Sequence, residues 1–204
     1  MFKDMAEGTY KTIVAQSEGL FKDKGSKFLA YAYPVVSEED VKTRLEALRK
    51  EHHAARHHCW AYKIGNHGEQ FRCSDDGEPS NSAGKPILGQ LESFGVTNVA
   101  VVVVRYFGGI LLGVGGLMQA YKEATKDALT NAEIVEKLIQ SYFVVNFSYE
   151  QNNAVMTVIK RFKCEILSQS FNEMCSLRCA VAQNIVNECV ESLQKVAEVQ
   201  VENG

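Results

Sequence analysis

The sequence predicts an α+β protein of two domains, and three observations carry that prediction. Residues 98–121, NVAVVVVRYFGGILLGVGGLMQAY, pass from the β-branched run Ala100 to Val104 into a glycine-studded turn and then into helical spacing. Upstream of this stretch, strand and helix patterns alternate. Beyond residue 138 the elements fall in the order βαββαβ, the split-βαβ arrangement of a ferredoxin-like domain.

Taken in order, residues 9–15 and 27–36 read as strands, and the polar segment 16–26 with Gly19 and Gly25 reads as their connection. Ser37 caps a helix. Glu38, Glu39 and Asp40 crowd its first turn, as the positive end of the dipole favours, and Val41, Leu45 and Leu48 mark its buried side. Residues 58–64 and 70–73 return to strand spacing on either side of the Asn66–Gly68 turn. The loop 74–86, SDDGEPSNSAGKP, lacks apolar content and is expected at the surface, with a short helix over 87–94 behind it.

Ala100 to Val104 is apolar without alternation, which predicts a strand buried on both faces. From about Gly115, the spacing of Leu117, Ala120, Tyr121, Ala124, Ala128 and Leu129 is helical, and 131–137 is a polar, helix-like crossing. There follow a strand over 139–149, a helix over 152–161, strands over 164–171 and 174–182, a helix over 183–196 and a strand over 198–201. Asn172 and Glu173 form a tight turn between the middle strands. This second domain, 138–204, contains no His and no Asp and reads as a docking module beside a first domain of 1–135.

A length of 204 residues with 46% hydrophobic content suffices for a substantial core. The formal net charge of −3 and a pI near 6.0 remove the simplest case for a strongly nucleic-acid-binding surface, so any basic patch must be local. The six cysteines have no C-x-x-C spacing and no secretory leader precedes them, which predicts reduced thiols in a cytoplasmic protein without structural zinc. No apolar run approaches the ~18 residues that a membrane span requires.

Chemistry-bearing residues concentrate in three places. Ser74 to Ser80 puts Asp75, Asp76 and Glu78 on a constrained turn, with Gly77 free to take positive φ and Pro79 stiffening the chain after it. Such carboxylates either hold a divalent ion, act as an acid–base pair, form a solvated acidic turn, or cap the segment 80–85. Lys85 after Gly84 imitates a phosphate loop, but Pro79 and Pro86 stand where GxxxxGK[ST] needs glycine and a hydroxyl.

The second place is the glycine turn. Gly113, Gly115 and Met118 break the GxGxxG fingerprint at its third glycine, which argues against a dinucleotide site. Gly108, Gly109, Gly113, Gly115 and Gly116 then serve either close packing or an anion held by free N–H groups at a helix N-terminus. Arg105, at the end of a buried strand, needs a partner: Asp75, Asp76 or Glu78 within the chain, or a phosphate outside it.

The third place holds all five histidines, between residues 52 and 67. His53 and His57 have the i,i+4 spacing of a helical metal pair, but the helix is expected to end before His57, which leaves His57 as a buried or site-lining residue. Cys59 beside Trp60 on an alternating strand reads as core.

AARHHCWAY, with Ala55, His57 and Cys59, then SDDGEPSNSAGKPIL, then the 98–121 segment resemble the YigZ/IMPACT family in three separated motifs in the right order. The resemblance covers roughly residues 9–130, and Ser82 stands where the family loop usually carries threonine, keeping the hydroxyl. It implies an N-terminal α/β sandwich like the second domain of a small-subunit ribosomal protein. It also implies a C-terminal domain like the ferredoxin-like domains of elongation factor G. Eukaryotic members of the family regulate translation by competing for a protein partner of a stress kinase, while bacterial members have no settled activity.

The expectation is therefore a cytoplasmic, translation-related regulatory protein that binds RNA or a ribosome-associated factor without a cofactor. Lys85, Arg105 and the amides of the glycine turn would meet phosphate. One alternative is an enzyme acting on a phosphorylated or nucleotide-like small molecule, with Asp75, Asp76 and Glu78 around a divalent ion and His57 as acid or base. Another is a pure protein-interaction module. Geometry separates them, according to whether Asp75, Glu78, Lys85 and Arg105 share an open cleft or close into an ion-pair network. Nothing in the sequence specifies an oligomeric state.

Overall fold

The computed structural model describes residues 8–172, 174–196 and 198–203, so Glu173 of the expected 172–173 turn lies outside the described residues. Two compact units are present, residues 10–137 and residues 138–203 with Gly8 and Thr9. Among the described residues no helix is long and apolar enough to cross a membrane.

The first unit is built from β1 (Thr9–Ile13), β2 (Ser17–Asp23), β3 (Ser26–Pro34), α1 (Glu38–Glu51), β4 (His57–Ile64), β5 (Gln70–Ser74), α2 (Gly84–Phe94), β6 (Val99–Tyr106), α3 (Gly113–Thr130) and β7 (Ile134–Leu138). Its central sheet has the order β2-β3-β6-β4-β5, and β1 pairs with β7 separately. The apolar run of β6 explains the layering, because successive side chains point to opposite faces. Val99, Val101 and Val103 pack with Ile87, Leu91, Tyr121 and Ala124 of α2 and α3, whereas Ala100, Val102 and Val104 pack with Val41 and Leu48 of α1. The sheet is thus sandwiched between helices, and β6 is buried on both faces as its sequence predicts.

Ser37 caps α1 in a reciprocal box, accepting from the Asp40 N–H while the Asp40 carboxylate accepts from the Ser37 N–H. Two expectations fail in this unit. Segment 16–26 is not a connection. It contains β2, paired antiparallel with β3 from Ser17↔Ala32 to Asp23↔Ser26. Its first two inward positions are small because the α3 backbone lies directly on them: Ser17 Oγ donates to Ala128 O at 2.8 Å, and a Cβ on Gly19 would stand 2.3 Å from Ala128 N, so that only Phe21 on this side packs as an apolar residue. A true strand is therefore left with one apolar inward residue, too few to show alternation. Residues 131–137 likewise end in strand β7 rather than a helical crossing.

The second unit comprises β8 (Gln140–Phe147), α4 (Asn152–Arg161), β9 (Glu165–Phe171), β10 (Cys175–Ala182), α5 (Val186–Gln194) and β11 (Gln200–Asn203). The sheet order β11-β8-β10-β9, antiparallel throughout, is the ferredoxin-like arrangement. Phe143, Val145, Phe147, Leu177 and Cys179 form its core with Val155 and Ile159 of α4 and Cys189 and Leu193 of α5. Where one helix is expected over 183–196, residues 183–185 form a 3-10 turn before α5.

Candidate functional site

Strand register assembles the site. Arg105 on β6 stands opposite Phe28 on β3 and His57 on β4, so the three side chains lie abreast on the face covered by α2 and α3. At this depth an isolated guanidinium would be prohibitively desolvated. Glu78 resolves the problem: its Oε1 accepts from Arg105 at 2.6 Å, with the two side chains 7% and 4% exposed. The same oxygen accepts from Tyr121 Oη at 2.8 Å, and Cys59 Sγ lies 3.3 Å behind that hydroxyl. Burial pushes the Cys59 thiol well up from its ordinary value, which suits a core group rather than a nucleophile.

Arg105 Nε is buried with no acceptor. An unsatisfied donor of this kind costs ~1–3 kcal/mol. The guanidinium carbon sits 5.4 Å from the centre of the Phe28 ring and 5.6 Å from that of Phe107.

The three acidic residues of the 74–86 loop do different jobs. Asp75 is the cap of α2, its Oδ1 accepting from the Ala83 and Gly84 N–H groups at 2.9 and 2.8 Å and its Oδ2 from Asn81 N–H at 2.7 Å. Burial pushes the Asp75 carboxyl up, but these backbone donors outweigh it and hold the group below its ordinary value. Asp76 pairs with Arg49 at 2.8 Å and accepts from His58 N–H at 2.7 Å. Only Glu78 reaches Arg105.

The convergence of Asp75, Asp76 and Glu78 on one ion that the enzymatic alternative requires is absent, and among the described residues no three His, Cys, Asp or Glu side chains are placed to hold a metal. The loop is also not a surface feature throughout, since Ser82 and Ala83 are fully buried. The buried Ser82 hydroxyl is satisfied within the loop's own turn, donating to Pro79 O at 2.6 Å, so polarity does not report exposure here.

Asp76 with φ 42° and Gly77 with φ 86° turn the chain beneath His57, whose Nδ1 donates to Asp76 O at 2.9 Å. In the neutral ring, Nε2 then carries the lone pair.

Glu78, Arg105 and His57 line a cleft of about 410 Å³ together with Arg56, Phe107, Leu111, Gly113 and Val114. Of the other glycines expected to cradle an anion, Gly108, Gly109, Gly115 and Gly116 are not among its lining residues, and neither is Lys85, which lies exposed in the first turn of α2. Gly108 serves packing instead, for a Cβ there would fall 1.9 Å from Gly25 C.

The unexpected part of the site is apolar. Phe107, Ile110, Leu111, Val114 and Met118 are 45–84% exposed around the turn into α3. The signal was present as large apolar residues set between glycines in a turn, where no periodicity assigns them a buried face. Another missed feature lies on the α1 side, where His52 bridges Tyr31 Oη at 2.8 Å and Tyr106 Oη at 2.9 Å.

A family model described as the Impact N-terminal domain matches residues 24–129, the span that contains the acidic loop, β6 and the glycine turn. An IMPACT family member of Haemophilus influenzae is 35% identical over 178 residues, 85% of this chain and 86% of the relative. The IMPACT family member YigZ of Escherichia coli is 36% identical over 160 residues, 78% of either chain. Protein IMPACT of Mus musculus is 43% identical over 96 residues, 45% of this chain and 30% of that protein. Among solved structures, the crystal structure of a hypothetical protein matches with a TM-score of 0.72 at 30% identity, covering 98% of each chain.

Proposed function

The chain belongs to the IMPACT family, and on that premise we propose that it is a translation-related regulatory protein of the cytoplasm that works by binding a ribosome-associated protein. The observation that carries the binding part is the exposure of Leu111 at 84% and of Phe107 and Val114 at 53% and 52%, all three lining one cleft, with Ile110 54% exposed next to Leu111 in sequence. Apolar side chains in that number are covered most favourably by another protein, at roughly 25 cal/mol per Å² of apolar surface removed from water.

Phosphate capture by the residues first considered for it has less support. The Arg105 charge is spent on Glu78, and Lys85 lies outside the cleft. An enzymatic reading is weakened in the same way, because the three carboxylates serve three separate partners.

The test is gradient co-sedimentation of the tagged chain with ribosomes from lysate, with and without nuclease, for wild type and for Leu111→Asp/Val114→Asp. Both replaced residues are exposed, so the fold should survive. The expected result is nuclease-resistant co-sedimentation of the wild type with an associated protein, reduced at least 10-fold in the variant, consistent with the loss of a few kcal/mol of interface energy. Binding that vanishes with nuclease and falls steeply with salt would transfer the role to RNA. No ribosomal association at all would overturn the proposal.

A further inference from the structure

Two thiols from different elements meet in the second unit. Cys164 follows α4 and Cys189 lies within α5, 25 residues further on, and their Sγ atoms stand 3.5 Å apart. The backbone fixes the first of them. Helix α4 ends in a Schellman motif, in which Lys163 takes φ 52° and its N–H donates to Lys160 O at 3.1 Å, while Cys164 N–H reaches back to Ile159 O at 3.0 Å. Cys164 is thereby held against the core that contains Ile159 and Cys189. A disulfide is ~2.05 Å long, so bonding these sulfurs requires them to approach by about 1.5 Å.

The two thiols differ in access. Cys189 is fully buried and Cys164 half-buried, so an oxidant arriving from solvent meets Cys164 first. They differ in acidity in the matching sense. A hydrogen bond from the Cys189 thiol holds Cys164 below the ordinary thiol value, and that same bond together with burial pushes Cys189 up. Cys73 supplies the contrast. It is exposed on the edge strand β5, yet partial burial of its sulfur and the charge of Asp75 push it up. Exposure alone would make Cys73 the reactive thiol, whereas the sulfur–sulfur contact selects Cys164. Cys175 and Cys179 of β10 share the core of Cys189 and are buried with it.

We infer that Cys164 and Cys189 form a redox modification site, which a hydroperoxide converts to a reversible disulfide within the second unit. The Cys164 thiolate attacks the peroxide: an S–O bond forms, the O–O bond breaks, and the departing alkoxide or hydroxide takes up the proton that Cys164 released. The Cys189 sulfur then attacks the Cys164 sulfur. The S–S bond forms, the S–O bond breaks, and hydroxide leaves as water with the proton of Cys189. Two thiols are oxidised by two electrons, and the peroxide is reduced to water and an alcohol, or to two waters if it is hydrogen peroxide. The bond ties α5 to the start of β9. In a reducing compartment it is transient, because exchange with small thiols restores both cysteines.

The test is a time course of the reduced full chain with hydrogen peroxide, followed by blocking with N-ethylmaleimide and peptide mapping by mass spectrometry without reduction. The expected product is a cross-linked peptide joining Cys164 to Cys189, removed by dithiothreitol, with Cys164 consumed about 10-fold faster than Cys73. Both readings come from the unaltered chain, so they decide the matter even where a variant at a buried cysteine fails to fold. In Cys189→Ser the reaction should stop at a sulfenic acid on Cys164, which dimedone captures, and Cys179→Ser should leave the cross-link in place.

Faster loss of Cys73 than of Cys164 overturns the inference. So does a cross-link in the unaltered chain from Cys164 to Cys179 instead of Cys189, oxidation of Cys164 past the sulfenic acid without any cross-link, or inertness of both thiols.

Discussion

Arg105 and Glu78 occupy positions that neither could hold alone, because a single buried charge is far costlier than the pair. The two sides of Glu78 Oε1 are not equivalent. Glu78→Gln strands the guanidinium and should lower the unfolding free energy by ~3–5 kcal/mol. Tyr121→Phe keeps the ion pair and loses one hydroxyl bond, for a loss of ~1 kcal/mol. Urea denaturation of the two variants checks this, and equal losses would mean that the ion pair adds nothing beyond a neutral hydrogen bond. That Arg105 needs an anionic partner was legible from its place at the end of an apolar strand. Which of Asp75, Asp76 and Glu78 answers it was not, because the choice depends on the left-handed turn at Asp76 and Gly77 that sends neighbouring side chains in different directions.

Elements differ in how plainly their sequences announce them. The α1 helix is marked at both ends of its first turn by Ser37 and Asp40, and β6 by an unbroken apolar run, since caps and burial on two faces are local in sequence. Strand β2 is silent because two of its inward residues, Ser17 and Gly19, are chosen by the backbone of α3, more than a hundred residues away. Two glycines separate these cases experimentally. Gly19→Ala puts a methyl group against the α3 backbone, which cannot yield as a flexible side chain would, and should destabilise by ~1–3 kcal/mol. Gly115→Ala meets open space in a helix and should stabilise by ~0.5–1 kcal/mol. Thermal unfolding distinguishes them by the sign of the shift in Tm.

Across the whole molecule, pH acts through groups whose folded and unfolded affinities for protons differ. Burial pushes His58 below its ordinary value of 6.5, against the pull of Asp76, and backbone donors hold Asp75 and Asp40 below 3.8. In each case the unfolded chain binds the proton more readily, so stability rises with pH. It should be complete above pH 6.5, fall as pH drops below 6.5 through the folded value of His58, and fall again below 3.8 as the carboxylates protonate. Denaturation midpoints at a series of pH values test this, and His58→Gln should remove the upper step alone. By itself the sequence determined what depends on local pattern: the α+β class, the ferredoxin-like order of the second unit and the buried strand. Only the tertiary structure decided which carboxylate meets Arg105, that segment 16–26 contains a strand, and that the glycine turn exposes an apolar rim. Each of these is set by groups distant in the chain, and residue spacing carries no record of what lies opposite.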